Sequence, residues 1–167
     1  MYWYDTEYKW SDIHLTNYIV SSLSEIKTLG YDVDKKVLEN AKAYLKKEFY
    51  KKTTCSEKVF ENCIALEVKT QIVLALNSAD NKDYEVYKMF KTLDISKLSN
   101  LSKADVLSKV ANIKSLLKFE SDKLKKEAST IISKVLSNEL VFNPRGAFIS
   151  ASDNSRIYNT TKLLEIM

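Results

Sequence analysis

Glycine and proline are nearly absent from this chain: its 167 residues include only 2 Gly and 1 Pro. These two residues supply many of the backbone conformations that tight turns and phosphate-binding loops require. Their scarcity excludes a long Gly-rich phosphate loop and a collagen-like repeat, and it argues against a turn-dense all-β fold. Because Lys, Leu, Ser and Glu are abundant, the sequence predicts helices joined by short connections.

The length and composition predict one globular domain over residues 1–167, with 45% hydrophobic and 29% charged residues. The longest apolar run is a few residues, against about 20 for a membrane helix, so no membrane insertion is predicted. The start, residues 1–5, is aromatic and acidic, unlike a signal peptide. The end is typical of a helix in progress, so we expect a fragment of a longer polypeptide.

Helical spacing of the apolar residues predicts an all-α fold of about seven helices. In the first helix, Leu15, Ile19, Leu23 and Ile26 form the apolar stripe. The third has apolar residues on two faces, which is typical of a helix buried on both sides. The predicted helices cover residues 11–29, 34–49, 56–77, 81–92, 102–117 and 121–138, and a last one begins near 153–155.

A small β-hairpin is predicted near residues 140–149. Two short apolar runs, 140–142 and 147–149, flank the turn signal Asn143-Pro144-Arg145-Gly146. Runs of this kind around a turn containing Pro and Gly are typical of paired strands.

The net charge of +4 does not indicate nucleic-acid binding. Only two Arg occur, and Arg is the residue that best binds phosphates and bases in a bidentate manner. The basic stretch would spread around a helix rather than form one patch, which favours a solvated face. It consists of Lys35, Lys36, Lys42, Lys46, Lys47, Lys51 and Lys52.

No catalytic, metal or cofactor site is predicted. His14, the lone histidine, is interpreted as a packed or surface residue because nothing is identifiably paired with it. One His and two Cys are too few for a zinc site. Cys55 and Cys63 would be about 12 Å apart on one helix, beyond disulfide reach, and a bridge is possible only if Cys55 lies in the preceding loop.

Two other groups have structural interpretations. The acidic pairs Asp32/Asp34 and Asp80/Asp83 lie at helix starts, where carboxylates serve as caps and dipole partners. The aromatic cluster of residues 2–10 could stack on a ligand, but we expect it to anchor the chain against a helical core.

An ordered set of segments resembles the thioester domain of bacterial alpha-2-macroglobulin-like proteins. The first, WSDIHLTNYIV at 10–20, is similar to the family's L-T-A-Y-V helix, with Asn17 where the family usually has Ala. A G-Y-x-V turn at 30–33 and an A-x-x-Y-L helix end at 41–45 follow in the family's order. The later segments are 87–90, 101–107, 142–148 and 156–164.

The resemblance implies a partial α/α toroid and a role within a bacterial protease inhibitor. In that family a Cys and a Gln three residues later form a thioester that acylates attacking proteases. Here the one similar motif, Cys55-Ser56-Glu57-Lys58, has an amine where the acyl group is needed. The chain is therefore expected to be non-catalytic, with the parent's other domains and, through the parent, target proteases as partners. The family implies a periplasmic or envelope location.

Two further functions remain open. A free-standing helical protein-interaction module is the main alternative, and apolar faces left by a partial ring, at Phe60, Ile64 and Leu66, would favour self-association. A toroid enzyme of the isoprenoid-cyclase type is the other, although no D-D-x-x-D motif is present.

Overall fold

The computed structural model describes residues 12–51, 65–143 and 146–149, together with residues 160, 161, 163, 164 and 166. Within these residues it contains six α-helices and one two-stranded sheet, which confirms the predicted all-α class with a small β-hairpin. The toroid arrangement stays a prediction. The elements are α1 (Ile13–Thr28), α2 (Lys35–Phe49), α3 (Leu66–Ala79), α4 (Tyr84–Lys91), α5 (Asn100–Val110), α6 (Lys118–Asn138), β1 (Leu140–Asn143) and β2 (Gly146–Ile149), with a 3-10 turn at Ile95–Lys97.

The contacts between residues divide the chain into two compact units, Met1–Ala79 and Asp80–Met167. In the first unit α1 packs against both α2 and α3, and α2 packs against α3. In the second unit α5 packs along α6, and β1 continues from the end of α6 and contacts it. The described residues after 159 are helical. The single-domain interpretation stays a prediction.

Aspartates cap three of the helices. Asp12, Asp34 and Asp83 precede α1, α2 and α4, and their side chains accept hydrogen bonds from first-turn backbone N–H groups at 2.7–3.2 Å. Asp80 likewise accepts from the backbone N–H of Lys82 at 3.0 Å. These bonds satisfy N–H groups that have no partner inside the helix. The helix-capping role predicted for Asp34 and Asp83 is confirmed, whereas Asp80 accepts its bond in the turn before α4 and caps no helix.

The predicted starts of α4, α5 and α6 are wrong. α4 begins after Asp83 rather than at Asn81. α5 begins after Ser99, whose hydroxyl accepts from the backbone N–H of Ser102 at 3.2 Å, so Ser102 lies inside the helix that it was expected to open. α6 begins after Leu117 rather than at Ser121. The backbone N–H of Leu117 donates to the Glu120 side chain at 3.4 Å. This bond lets the helix begin after an apolar residue, whose own side chain cannot cap it.

The third helix is buried on two sides, as predicted. Its described part, α3, contacts α1 and α2, and Ile72, Val73, Ala75 and Leu76 are all buried. The predicted earlier part, residues 56–64, lies outside the described residues and includes Phe60 and Ile64. Leu66 is half-buried at the start of α3.

The first helix faces its neighbours with a different side from the one that its apolar stripe indicates. Leu15 is 54% exposed, Ile26 is 40% exposed and Ile19 is 37% exposed. The buried residues of α1 are instead Asn17, Val20 and Ser24. Ser24 can lie there because its hydroxyl donates to the carbonyl of Val20 at 2.5 Å, so it needs no partner from another helix.

Asn17 is buried on this face without a visible hydrogen-bond partner. It is 6% exposed, and neither its amide nitrogen nor its oxygen is hydrogen-bonded to any residue that the structure describes. A buried polar group left unpaired costs roughly 1–3 kcal/mol. A small apolar side chain would therefore suit this position better.

Asn17→Ala should raise the free energy of unfolding by about 1 kcal/mol, because it removes an unpaired amide and improves helix propensity. Urea unfolding would measure the change. Asn40→Ala is the control: Asn40 lies exposed on α2, so this substitution changes only helix propensity. A gain no larger than that of Asn40→Ala would show that the Asn17 amide is satisfied in the folded chain.

The β-hairpin packs on the core of the second unit. β1 and β2 are antiparallel, with Leu140 opposite Ile149 and Asn143 opposite Gly146. The pairing confirms the predicted hairpin, and Asn143 and Gly146, the first and last residues of the predicted turn signal, form the pair that closes the two strands. Ile149 is buried in one cluster with Leu101, Val135 and Leu163.

Candidate functional site

The residues that sequence reasoning considered for chemistry do not form a site in the described structure. His14 is exposed on α1. Cys55, Lys58, Cys63 and the aromatic cluster of residues 2–10 lie outside the described residues. Among residues 12–51, 65–143, 146–149 and the described part of 160–166, no group of three or more His, Cys, Asp or Glu could hold a metal ion.

A groove of about 420 Å³ lies in the second unit. It is formed by α4, the segment that follows it, α5 and α6. Its lining is apolar, with charged side chains from α4 and α6. The apolar residues are Tyr87, Phe90, Leu93, Ile95, Leu107, Phe119 and Leu124, and the charged ones are Lys91, Glu120, Lys123 and Glu127.

Spacing along α4 brings its aromatic side chains to the groove. Residues three apart lie on the same side of a helix, so Tyr84, Tyr87 and Phe90 form a row. The ring centroids of Tyr84 and Tyr87 are 5.6 Å apart, and those of Tyr87 and Phe90 are 6.2 Å apart and stacked. Tyr87 and Phe90 are buried, so two of the three rings form a rigid aromatic wall.

Polar contacts hold the middle of this row. The Tyr87 hydroxyl donates to Glu120 at 3.2 Å, and the Lys91 ammonium lies 5.5 Å from the centre of the Tyr87 ring. The other oxygen of Glu120 accepts from the backbone N–H of Leu117. Burial raises the pKa of Tyr87 above 10.0, and the nearby Glu120 carboxylate raises it further.

The raised pKa of Tyr87 makes stability depend on pH above 10. The folded chain keeps the phenol proton at a pH where the unfolded chain loses it, so this contribution is complete below pH 10.0 and is lost as the pH rises further. We expect the difference in unfolding free energy between the wild type and Tyr87→Phe to decrease above pH 10. Denaturant titrations from about pH 8 to about pH 11 would measure it.

Glu120→Gln provides the comparison for this prediction. It removes the carboxylate charge and leaves Tyr87 buried. When the wild type and Tyr87→Phe are compared in a Glu120→Gln background, their difference in unfolding free energy should therefore decrease less above pH 10. A wild type and a Tyr87→Phe variant that lose stability in parallel above pH 10 would contradict the prediction.

The groove lining contains two lysines and two glutamates. Both oxygens of Glu120 accept hydrogen bonds within the chain. Lys91 and Lys123, from α4 and α6, form no ion pair with any residue that the structure describes. Phe119, beside them, is 67% exposed. The groove therefore presents an apolar surface together with the carboxylate of Glu127 and two ammonium groups that have no carboxylate partner among the described residues.

Sequence reasoning did not identify this groove. Its lining comes from helices that are far apart along the chain, and none of the lining residues matches a chemical motif. The one usable signal was the Tyr84, Tyr87 and Phe90 spacing, which places three aromatic rings on one side of a short helix.

A second electrostatic feature, at the end of α2, has a structural role. The Lys69 ammonium donates to the backbone carbonyl of Lys51 at 2.5 Å and lies 5.4 Å from the centre of the Phe49 ring. Burial lowers the pKa of Lys69 below its usual 10.5. Lys51 itself pairs with Glu48 at 2.6 Å. Part of the lysine-rich stretch is thus used to close the C-terminal end of α2.

No helix in the described part of the chain is both long enough and apolar enough to cross a membrane. Comparison with protein-family models, with curated proteins and with solved structures finds no match for this chain.

Proposed function

We propose that this chain is a non-catalytic protein-interaction module, and that the groove of its second unit binds an apolar segment of another polypeptide carrying acidic side chains. The observation that carries the proposal is the exposed Phe119 beside the buried aromatic wall of Tyr87 and Phe90. Aromatic side chains of this kind provide much of the binding energy in protein interfaces.

The size of the groove agrees with a short segment. Its volume of about 420 Å³ lies within the range of roughly 300–1,000 Å³ for sites that hold a compact group. Such a volume holds a few apolar side chains rather than a whole domain surface. The floor contains Leu107 and Leu124, which are buried and lie on packed helices, so the site is preformed.

Charge favours an acidic partner. Glu120 is occupied by Tyr87 and by the backbone of Leu117, whereas Lys91 and Lys123 have no carboxylate partner among the described residues. An acidic side chain on the incoming segment would pair with these two ammonium groups, whereas a basic side chain would have only the Glu127 carboxylate to pair with. The bound segment would then lie between α4 and α6.

The resemblance to bacterial alpha-2-macroglobulin-like inhibitors suggests where the segment comes from. In such a parent the partner would be another domain of the same inhibitor, and protease trapping would be the parent's activity in the periplasm or envelope. Flanking DNA tests this part of the proposal. A Cys-x-Glu-Gln motif upstream in the same reading frame would support it, whereas a short isolated gene would contradict it and leave the groove proposal standing.

Two designed helical peptides test the groove directly. Both peptides carry Leu at positions i, i+3, i+4 and i+7. At the solvent-facing positions that flank this Leu face, one peptide has Glu and the other has Lys. Fluorescence anisotropy should show that the full chain binds the Glu peptide about tenfold more tightly than the Lys peptide, or better. Phe119→Ala should weaken that binding about tenfold, since a central aromatic contact is worth more than about 1 kcal/mol.

The double variant Lys91→Glu/Lys123→Glu should reverse the peptide preference. Lys88→Glu/Lys126→Glu is the matched control, because it makes the same charge change with exposed lysines of the same two helices outside the groove lining. Equal affinity for the two peptides, or an equal effect of the control variant, would overturn the proposal.

A further inference from the structure

The outward side of α1 is an apolar stripe that no described helix covers. We define the α1 stripe as Leu15, Tyr18, Ile19, Ser22, Ile26 and Leu29. At 3.6 residues per turn these positions share an arc of about 100°. Tyr18 and Leu29 are the most exposed members, at 70% and 69%. The opposite side, with Asn17, Val20 and Ser24, is the buried one.

The spacing within the stripe is the same in both chain directions. From Leu15 to Ile19, Ser22 and Ile26 the steps are four, three and four residues. An antiparallel second copy of α1 would therefore place Leu15 opposite Ile26 and Ile19 opposite Ser22. Because the two copies are equivalent, each of these contacts occurs twice. Alternating steps of three and four are also the pattern that packs two helices at a small crossing angle.

The polar side chains beside the stripe suit the same arrangement. The stripe itself contains no charged side chain, while His14 and Glu25 lie exposed along one of its edges. Antiparallel pairing brings His14 of one copy close to Glu25 of the other at both ends of the interface. It also sets the two helix dipoles in opposite directions, which is favourable.

We infer that a second copy of this chain covers the α1 stripe, through antiparallel pairing of the two α1 helices about a twofold axis near the middle of the stripe. This interface lies on the first unit and is independent of the groove proposed above. Six side chains from each copy are far fewer than the roughly 20–30 residues per partner of a standard interface. The dimer is therefore weak, with a dissociation constant of about 1 μM or higher.

Sedimentation equilibrium of the full chain at rising concentration tests the inference. The wild type should shift from monomer to dimer. Ile19→Lys should remain monomeric, because it places two ammonium groups near the twofold axis, and its urea midpoint should stay close to that of the wild type. Phe142→Lys is the matched control: Phe142 is 75% exposed on β1, outside the stripe, so this variant should dimerise like the wild type.

Charge exchange tests the orientation. His14→Glu places two carboxylates together at each end and should weaken the dimer about fivefold, as expected for losing two surface contacts. The double variant His14→Glu/Glu25→Lys pairs a carboxylate with an ammonium group at each end and should recover the wild-type dissociation constant. Failure of this recovery would exclude the antiparallel register.

Two results would overturn the inference as a whole: a wild type that is monomeric at all concentrations, or an Ile19→Lys variant that dimerises normally. If the wild type is monomeric and Ile19→Lys also has a much lower urea midpoint, another part of the same chain covers the stripe.

Discussion

Leu76→Ala is expected to lower the free energy of unfolding by about 2–5 kcal/mol, the usual cost of removing a buried leucine side chain. Leu76 is 1% exposed on α3, which contacts both α1 and α2. Neither neighbouring helix can easily move to fill the cavity because each is also packed on the other. The full cost should therefore appear as a shift of the urea midpoint in a circular dichroism titration.

Leu74→Ala is the matched control for this prediction. Leu74 lies on the same helix but is only half-buried, so it loses less buried surface and leaves a smaller cavity. The Leu76 variant should be the less stable of the two by more than about 1 kcal/mol. Equal losses would mean that α3 is not the two-sided helix described above.

Ile149→Ala should have an effect of similar size, about 2–4 kcal/mol, on the second unit. Ile149 is 1% exposed and packs with Leu101, Val135 and Leu163, while its backbone N–H donates to the Thr160 hydroxyl at 3.1 Å. The hairpin is thus attached to the helices mainly through this one side chain and its neighbours. Urea unfolding would measure the loss.

Phe142→Ala removes a larger side chain from the same hairpin and should change stability by less than about 0.5 kcal/mol, since Phe142 is largely exposed. Comparing Ile149→Ala with Phe142→Ala separates the stability that comes from core packing from the stability that comes from strand pairing. If both substitutions destabilised the chain equally, the strands would be stabilising the fold through pairing alone, and the cluster around Ile149 would contribute little.

Local signals in the sequence predicted the local features of the fold. Asp34 and Asp83 cap helices because a carboxylate can reach N–H groups two or three residues ahead, whatever the rest of the chain does. The hairpin follows similarly from two short apolar runs around Pro144 and Gly146. Where a local rule had two competing residues, as with Ser99 and Ser102, the prediction chose the wrong one.

The candidate site could not be predicted in this way. Tyr87, Phe119 and Lys123 belong to helices far apart in sequence, and their proximity depends on how α4 and α6 pack with α5. Only the aromatic row of α4 had a local signature. No rule of spacing within one helix could have shown that the Tyr87 hydroxyl donates to Glu120, or that Lys91 has no carboxylate partner among the described residues.

The amino-acid sequence alone determined the helical class, the hairpin and the helix caps at Asp34 and Asp83, because each depends on contacts within a few residues. Only the tertiary structure decided which side of each helix is buried. The α1 helix shows the reason: its most apolar side, with Leu15 and Ile26, is exposed, and a narrower side with Asn17, Val20 and Ser24 packs against its neighbours. Hydrophobicity favours burial of a stripe, but the shape of the facing helices determines which stripe fits.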